Sequence, residues 1–509
     1  MDRTDPFFGY SFLLRTLLFV VVPVFAAWQF VRLRRALHVF QLEGYKRGRF
    51  LEWVSTHRDR AWFLRKQRET KKPLVMTGRA WRILIVATVL SVLAMVAAAA
   101  AAHLAGGAPF DLIAFVIVTA IVFVAAHRIL VLADQMLAPA QNAINARYLR
   151  AARTKLVSTS PLVVGITGSF GKTSTKFAIA GLIGSSEDVL VTPGSYNTPL
   201  GICRTINEQM DGSHRFFVVE MGAYREGDVE ELCRFVRPRI GVLTAVGPAH
   251  LERFGSIDSV RRAKYEIVTS LPTDGVAVMN VDDPEVRKLA NGTSGVDVVR
   301  YGLDEAGRPH VTARSVAFDG TGMNLTILDN RSGQSLEVHT GLLGRHAVGH
   351  ILAGVAVALA AGRRLDELGG AIASLEPVEH RLQMIAGAGG VTVIDDAYNS
   401  NPEGAAAALE VLESLPGNKK IVVTPGIIEL GPLQAEENAR FGERAARVAD
   451  ILIVVARINR SAMEEGARRS GGVEVVTVDS LGQARERLAT LLSPGDVVLF
   501  ENDLPDQYE

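Results

Sequence analysis

Residues 161–174 read Pro-Leu-Val-Val-Gly-Ile-Thr-Gly-Ser-Phe-Gly-Lys-Thr-Ser, and this stretch decides the fold of the region around it. Residues 161–166 form a short apolar run rich in β-branched side chains, which is typical of a buried parallel strand. The residues after 174 are rich in Ala, Ile and Leu and predict a helix. A glycine-rich turn between a strand and a helix directs backbone N–H groups and the positive helix end towards phosphate. The sequence therefore predicts an α/β domain with a phosphate-binding loop at 167–174.

The residue types in this predicted loop are suited to binding a nucleoside triphosphate. Lys172 supplies a positive point charge, and Thr173 offers a hydroxyl to magnesium. The strict G-x-x-x-x-G-K-[S/T] pattern is missed by one place, because residue 166 is Ile and the nearest glycine is Gly165. The loop nevertheless keeps the charge of Lys172 and the hydroxyl of Thr173. We therefore predict that the nucleotide is bound by Thr167, Gly168, Ser169, Gly171, Lys172, Thr173 and Ser174.

Length and composition limit the classes of function. A chain of 509 residues predicts about three domains at roughly 150 residues each. The charges nearly balance, with 55 Lys and Arg against 54 Asp and Glu, so no global basic field indicates nucleic acid as a partner. Cys203 and Cys233 are too few for a disulfide framework or a zinc cluster. We predict that both are core residues of a reduced, cytosolic enzyme.

Three apolar stretches, at 12–31, 83–104 and 112–132, approach the roughly 20 residues that a membrane-spanning helix needs. Between Arg32 and Arg82 there are fifteen Lys or Arg residues against four acidic ones, and the positive-inside rule places such a loop in the cytoplasm. These patterns predict a multi-pass protein of the cytoplasmic membrane, with the lipid bilayer as a partner and the catalytic part in the cytoplasm. The membrane region would cover 1–135 and a linker helix 136–157. A solvated charged face is the alternative for the basic loop.

Four further stretches follow the phosphate loop in order. They are 192–197 (Thr-Pro-Gly-Ser-Tyr-Asn), 220–223 (Glu-Met-Gly-Ala), 250–256 (His-Leu-Glu-Arg-Phe-Gly-Ser) with 263–266 (Ala-Lys-Tyr-Glu), and 395–402 (Asp-Asp-Ala-Tyr-Asn-Ser-Asn-Pro). In order and spacing they resemble the Mur ligase family over residues 158–505, in the branch that adds D-alanyl-D-alanine to a UDP-muramoyl peptide. The resemblance implies a P-loop-containing central domain at 158–379 and a Rossmann-like C-terminal domain at 380–509.

The resemblance also implies ATP and two magnesium ions at the strand ends. Glu220 follows the apolar run 215–219, and ligands bind at the carboxyl edge of such sheets. With Thr173, Glu220 would hold one ion, while His250 and a carbamylated Lys264 would hold the other. Without the resemblance, Glu220 would be a solvated strand-end residue, His250 an ordinary histidine, and Lys264 a surface residue of a helix. The implied catalytic residues are Lys172, Glu220, His250, Lys264 and Arg381.

The remaining implied site residues lie near the domain junction and in the last domain. Arg381 would reach ATP when the domains close, and Asp395 would contact the nucleotide. Residues 344–350 match a family segment that contacts the base, and the resemblance implies that His350 contacts the nucleotide, although Ala347 and His350 replace the segment's two asparagines. The incoming amine and the acceptor would meet Asn197, Tyr398, Asn399 and Asn401. A plain turn is the alternative for 395–402, because Asn, Ser and Pro are turn formers.

Other patterns concern the strands and the C-terminus. Residues 310–339 show alternation typical of a small antiparallel sheet, and 420–424, 451–456, 473–478 and 497–500 read as strands of a second doubly wound unit. Residues 500–506, Phe-Glu-Asn-Asp-Leu-Pro-Asp, stand where the resembling branch carries a Lys-Gly-Ser-type ending. This departure weakens the inference that the substrate is the same.

The resemblance implies an ATP-dependent ligase that converts a carboxylate into an acyl phosphate and then into an amide, in peptidoglycan precursor or related peptide synthesis at the cytoplasmic membrane face. The amine would be a small amino acid or a dipeptide. We expect a lipid-linked or polymeric acceptor, because predicted membrane helices occupy the place of the family's UDP-sugar-binding domain. A membrane-associated polyglutamate-type synthase is an alternative, and a membrane ATPase or a nucleotide-sensing scaffold would be alternatives of another class.

Overall fold

A computed structural model describes residues 22–56, 73–106, 110–184, 187–194, 196–248, 251–319, 322–398 and 400–503. The chain divides into two compact units with the boundary between Arg147 and Tyr148. In its described part the first unit is helical, and all of the described strands belong to the second.

The first unit is built from α1 (Val22–Leu42), α2 (Arg47–Thr56), α3 (Gly78–Gly106), α4 (Phe110–Val124) and the first part of α5 (Ala126–Thr159). Its core holds large apolar side chains from α1, α2, α3 and α5, among them Leu37, Phe40, Phe50, Leu84 and Leu130. Asp134 is buried beside this core and accepts from Arg47 at 2.8 Å and from Arg79 at 2.9 Å. Two arginines therefore compensate a buried carboxylate, which would otherwise be costly.

The predicted multi-pass membrane topology is wrong. One stretch of the described helices, Gly78–Ala98 in α3, is long and apolar enough to cross a bilayer. The predicted span at 112–132 is interrupted by a 71° bend between α4 and α5, and counting that bent pair as one span raises the total to two at most. The predicted span at 12–31 lies partly outside the described residues, and its described part begins α1, which carries Arg32. A helical bundle and a set of spans share the same apolar composition, which explains the error.

The second unit contains two sheets, and the first has nine strands. They are β1 (Leu162–Thr167), β2 (Val189–Val191), β3 (Phe216–Glu220), β4 (Ile240–Leu243), β5 (Val276–Asn280), β6 (Asp297–Tyr301), β7 (Val311–Asp319), β8 (Gly322–Asp329) and β9 (Gln334–Thr340), in the order β2-β3-β1-β4-β5-β6-β7-β8-β9. Neighbours from β2 to β7 are parallel, whereas β7, β8 and β9 are antiparallel. The predicted antiparallel strands are confirmed, and they extend the edge of the parallel sheet.

Helices cover both faces of this sheet. They are α6 (Lys172–Gly184), α7 (Pro199–Gln209), α8 (Asp228–Val236), α9 (Leu251–Phe254), α10 (Ile257–Thr269), α11 (Pro284–Gly292), α12 (Arg345–Ala360) and α13 (Gly369–Ala373). Successive strand residues point to opposite faces, so Val164 packs in the core with α6 and α12, while Val163 packs in the core with α7, α8 and α10. Cys203 and Cys233 are buried and free, as predicted.

The second sheet has six strands: β10 (Gln383–Ala386), β11 (Thr392–Asp396), β12 (Lys420–Thr424), β13 (Ile451–Val455), β14 (Glu474–Val478) and β15 (Val497–Glu501). Their order is β10-β11-β15-β12-β13-β14, and only β10 is antiparallel to its neighbour. The helices are α14 (Pro402–Ser414), α15 (Gln434–Val448), α16 (Arg460–Ser470) and α17 (Leu481–Leu491). The four predicted strands are confirmed to within one residue at each end, and this order brings the ends of β11 and β15 together.

Candidate active site

The phosphate loop connects β1 to α6, and its glycines are required by close packing. Gly168 has a φ of 155°, and a Cβ there would lie 2.0 Å from Thr244 Oγ1 and 3.0 Å from the backbone nitrogen of Ala245. Gly171 has a φ of 78°, and a Cβ there would lie 3.2 Å from His350 Cε1. The loop is therefore pressed against the segment that follows β4 and against α12.

Hydrogen bonds hold the loop in this shape. Ser169 N donates to the carbonyl of Ala245 at 2.9 Å, and Ser169 Oγ bonds both the carbonyl and the N–H of Gly247 at 3.0 and 2.9 Å. Thr244 Oγ1 donates to the carbonyl of Phe170 at 2.6 Å, and Thr167 Oγ1 donates to the carbonyl of Met221 at 2.9 Å. Thr167 and Ser169 thus shape the loop through their side chains, so its backbone amides are oriented in advance.

Gly168→Ala should test whether this shape is needed. The added Cβ clashes with Thr244, and we expect a loss of about 1–3 kcal/mol in the free energy of unfolding together with weaker nucleotide binding. Gly212→Ala is the matched control, because a Cβ there meets nothing within 4 Å. Urea unfolding and calorimetric titration with MgADP measure the two effects. Equal behaviour of the two variants would contradict the prediction.

Lys172 is the first residue of α6, and its ammonium folds back over the loop. Nζ donates to the carbonyl of Gly168 at 2.7 Å and to that of Ser169 at 3.3 Å. Burial lowers the pKa of Lys172, an effect that Glu220 opposes and Arg381 reinforces. The electrostatic fields of Glu220 and Arg381 therefore reach the same ammonium.

Glu220 lies at the end of β3 and collects contacts from several predicted site residues. Its side chain is almost fully buried. Oε2 accepts from Thr173 Oγ1 at 2.9 Å, and Oε1 accepts from Asn197 Nδ2 at 3.1 Å. The structure thus brings Thr173, Asn197 and Glu220 together, and Glu220 is not the solvated strand-end residue of the alternative interpretation.

Lys176 is a member of this cluster that the sequence reasoning missed. It is fully buried, and its ammonium lies 3.4 Å from Glu220 Oε2. Nζ also donates to the carbonyls of Thr192, at 2.8 Å, and of Gly194, so it joins α6 to the segment 192–197. Residues four apart share one face of a helix, so the position of Lys176 one turn after Lys172 was the signal that could have revealed it.

Lys264 lies on the buried face of α10 and not on a protein surface. Lys264 is 3% exposed, and its ammonium lies 5.7 Å from the centre of the Phe254 ring. Burial, followed by repulsion from Lys172, lowers the pKa of Lys264 well below its usual value, although Glu220 acts in the opposite direction. Its amine therefore belongs to the same electrostatic environment as the phosphate loop. His250, the other implied ligand of the second ion, lies outside the described residues, as does Asn399.

Two histidines of α12 face the loop. Thr175 Oγ1 and His350 Nδ1 are 2.9 Å apart, and the rings of His346 and His350 are 6.0 Å apart. Burial lowers the pKa of His350 to about 3 and that of His346 to about 4, so both rings are neutral at physiological pH. Both histidines line two cavities, of about 670 and 630 Å³.

The larger cavity gathers residues from both domains of the second unit. Its lining includes Thr173, Ser174, His350, Arg381 and Tyr398. The guanidinium carbon of Arg381 lies 4.6 Å from the centre of the Tyr398 ring. Arg381 and Tyr398, which are 17 positions apart in sequence, thus lie together in the lining of a cavity that Thr173 and Ser174 also line.

A partly buried ion pair also joins the two domains of this unit. Arg253 of α9 donates to Glu429 Oε1 at 2.6 Å, and the side chains are 22% and 17% exposed. The guanidinium carbon of Arg253 lies 4.5 Å from the centre of the Tyr224 ring. This contact lies close in sequence to the position of His250.

Two predicted residues of the segment 395–402 take part in local structure. Asp395 Oδ2 lies 2.7 Å from His380 Nδ1, which raises the pKa of His380, and Asp395 Oδ1 accepts from Ala397 N at 3.1 Å. Asn401 caps α14, because its side chain accepts from Gly404 N at 2.9 Å. The turn interpretation therefore accounts for the Asn401 side chain, whereas Asp395 remains beside the domain junction.

The donor set near the phosphate loop fits magnesium. Within the described ranges, no group of three or more His, Cys, Asp or Glu residues could hold a metal ion by itself. Magnesium in nucleotide sites usually takes one or two carboxylates together with substrate phosphates and water. The Thr173 hydroxyl and the Glu220 carboxylate, 2.9 Å apart beside the loop, provide such a partial set.

Comparison with protein families finds two matches in the second unit. Residues 166–358 match the family model described as Mur ligase middle domain, and residues 380–501 match the one described as Mur ligase, glutamate ligase domain. The chain is 34% identical over 382 residues to the UDP-N-acetylmuramoyl-tripeptide--D-alanyl-D-alanine ligase of Mycobacterium leprae, covering 70% of this chain and 74% of that one. It is 32% identical over 289 residues to the enzyme of the same name from Escherichia coli, covering 57% and 63%.

Solved structures show the same likeness. MurF from Acinetobacter baumannii superposes with a TM-score of 0.64 at 25% identity, covering 72% of this chain and 78% of that one. MurF ligase from Thermotoga maritima in complex with ADP superposes with a TM-score of 0.62 at 30% identity, covering 70% and 80%. Both family-model matches fall within the second unit, in which the phosphate loop, Glu220 and Arg381 lie.

Proposed function

Because this chain belongs to the Mur ligase family of ATP-dependent ligases that form amide bonds, we propose that it joins a dipeptide amine to the carboxylate of a muramoyl peptide. The observation that carries the proposal is the convergence of Thr173, Asn197 and Glu220 beside the phosphate loop, in a chain 34% identical to a ligase named for these two substrates. The dipeptide of that name is D-alanyl-D-alanine, and we propose the same class of amine here.

The proposed reaction has two steps. A carboxylate oxygen of the acceptor attacks the γ-phosphorus of ATP, ADP leaves, and an acyl phosphate forms. The amine nitrogen then attacks the acyl carbon, phosphate leaves and the nitrogen loses a proton. The first step is needed because a carboxylate is a poor electrophile, and the second needs exclusion of water, which would hydrolyse the acyl phosphate.

The residues around the larger cavity suit the first step. Backbone amides of the phosphate loop and the Lys172 ammonium would bind the phosphates, and Arg381, which lines the cavity, would approach them. Thr173 and Glu220 would hold one magnesium ion, and His250 and a carbamylated Lys264 would hold a second. When bound, magnesium neutralises charge on the phosphate oxygens.

Other side chains suit the substrates. Asn197 is held on Glu220 by its amide, and the exposed Tyr398 ring stacks on Arg381 at the cavity. We propose that Asn197, Tyr398 and Asn399 line the substrate side, while Asn401 fixes the turn behind them. A free UDP-linked acceptor is our first choice, because the relatives named above carry UDP in their substrate names.

Product analysis tests the proposed function. Purified protein with MgATP, UDP-N-acetylmuramoyl-tripeptide and D-alanyl-D-alanine should release ADP and yield the amide, detected by mass spectrometry. Separate reactions contain D-alanine or L-glutamate as the amine. An amide with glutamate alone would favour the polyglutamate-type alternative, and ADP release without any amide would favour an ATPase.

Lys264→Ala tests whether this lysine acts as a carbamate. Burial lowers the pKa of the Lys264 amine, which favours its neutral, nucleophilic form. The neutral amine nitrogen can add to the carbon of carbon dioxide and lose one proton to water, which leaves a carbamate anion. We expect kcat to fall by about a hundredfold in the variant, as for loss of one electrostatic catalytic group. Acetate or formate should restore part of the activity of Lys264→Ala by replacing the lost anion. Added bicarbonate should raise the activity of the wild type but not that of the variant. Full activity of Lys264→Ala without acetate would contradict the carbamate role.

A further inference from the structure

Two buried carboxyl groups, which the proposed reaction does not use, lie side by side at the carboxyl ends of β11 and β15. Asp396 and Glu501 are register partners in adjacent parallel strands and are 7% and 0% exposed. Glu501 Oε1 accepts from the Ser400 hydroxyl, whereas Glu501 Oε2 is buried and accepts from no N–H or hydroxyl donor in the part of the chain described. A side-chain hydrogen bond between the two carboxyl groups raises the pKa of Glu501 and lowers that of Asp396. Asp396 Oδ1 accepts from the backbone N–H of Leu382 at 3.2 Å.

Two neighbouring carboxyl groups in a buried place cannot both ionise without a large cost, and they can lower that cost by sharing one proton. Burial, followed by the charge of Asp396, raises the pKa of Glu501 well above its usual value. Burial also raises the pKa of Asp396, although Arg381 opposes that effect. One proton for two carboxyl groups therefore leaves a single negative charge in the pair.

The charged groups around the pair come from two places. Arg381 and His380 lie in the segment that joins the two domains, and Asp395 lies on β11 beside Asp396. On the other side of β15, the end of β12 offers the uncharged Thr424. Arg381 influences both carboxyl groups and also Lys172 of the phosphate loop, so it stands electrostatically between the pair and the loop.

We propose that Asp396 and Glu501 form a proton-sharing pair that positions Arg381 for the nucleotide phosphates. The single negative charge of the pair balances the guanidinium, while Ser400 and the Leu382 N–H hold its two carboxyl groups. Asp396 and Glu501 are positioning residues, since they act through Arg381. The inference rests on the proposed function only in assigning the phosphates to Arg381.

A double-mutant cycle tests the charge balance. Glu501→Gln and Asp396→Asn each leave one carboxylate beside Arg381, so each single variant should weaken MgATP binding by less than about threefold. The double variant removes both carboxylates, and we expect binding to weaken by roughly a hundredfold, as for removal of one partner of a buried charge pair. A loss in the double variant no larger than the product of the two single losses would contradict a shared proton.

Stability against pH gives a readout that needs no nucleotide. A carboxyl group whose pKa is raised on folding contributes full stability below its usual pKa and loses it as the pH rises through the raised value. The wild type should therefore lose thermal stability as the pH rises from the usual glutamate pKa to the raised pKa of Glu501. Glu501→Gln leaves Asp396 as the one carboxyl group of the pair, with its charged form favoured by Arg381, so this variant should lose much less stability over the same pH range. Glu486→Gln, an exposed site on α17, is the matched control and should behave as the wild type.

These measurements stand apart from the proposed function. Melting curves and MgATP titrations need neither acceptor nor amine, so a protein that forms no amide would still give a readable result. If Glu501→Gln melts with the pH dependence of the wild type, the proton-sharing pair is wrong even if the amide forms. If the cycle and the melts follow the expectation but no amide is found, the positioning role stands and the substrates are wrong.

Discussion

Lys172→Ala should lower kcat for ADP release by about a thousandfold or more, because removal of one charged group that stabilises a phosphoryl-transfer transition state has effects of this size. Lys172 begins α6 with its ammonium 2.7 Å from the carbonyl oxygen of Gly168, inside the loop where the phosphates would lie. The ammonium of Lys176 donates to the carbonyl of Thr192 and that of Lys264 lies over the Phe254 ring, so neither of these two lysines takes the place of Lys172 in the loop. MgATP affinity should fall as well, because the ground state also carries the phosphate charge.

The control for this variant is Lys288→Ala, which removes a lysine that is 69% exposed and forms a surface ion pair with Glu285. Exposed ion pairs contribute about 0–1 kcal/mol, so this variant should keep the activity and stability of the wild type. A coupled assay for ADP and equilibrium unfolding in urea cover both. Retention of more than about a tenth of kcat by Lys172→Ala would reject its role in phosphoryl transfer.

Glu220→Gln should have the second largest effect, with kcat about a thousandfold lower and a higher magnesium requirement, because a metal ligand loses its charge. The variant should also be less stable. Lys176 would keep a buried ammonium whose partner carboxylate, 3.4 Å away, has become neutral. Removing one partner of a buried ion pair costs about 3–5 kcal/mol.

A second variant separates stability from chemistry. Glu220→Gln with Lys176→Met removes both charges of the pair and keeps a long apolar side chain in α6. Replacement of a whole buried ion pair by apolar groups is often neutral, so much of the lost stability should return in urea unfolding. Activity should stay low. Recovery of activity together with stability would show that Glu220 serves the fold and not the reaction.

The parts of the fold that sequence predicted are those with local causes. The phosphate loop and the strands of the last domain follow from β-branched runs and turn residues, which act over a few positions. The membrane prediction failed because composition does not reveal whether an apolar helix packs on other helices, and because a bend after Val124 divides the third predicted span. The cysteines were predicted as core residues because two cysteines are too few for a disulfide framework or a zinc cluster.

The residues of the candidate site likewise divide into those that local sequence patterns can predict and those that depend on long-range strand order. Without the family resemblance, Lys264 was interpreted as a surface residue of a helix. However, Val260 lies four positions before Lys264, and Ile267 and Val268 lie three and four positions after it. That spacing places Lys264 on the apolar face of α10, so a helical projection could have predicted its burial. The pair of Asp396 and Glu501 could not be predicted, because it depends on β15 inserting next to β11, which is a long-range choice of strand order.

The ion pair between Arg253 and Glu429 bears on the departure of products. A widening of the junction between residues 166–358 and 380–501 at this point would separate these two side chains, which are only about a fifth exposed. We expect the attraction between the two side chains to oppose this widening. Dissolved salt weakens the attraction of an ion pair that water can reach. Ionic strength would then act on the escape of ADP and amide rather than on the making of the bond.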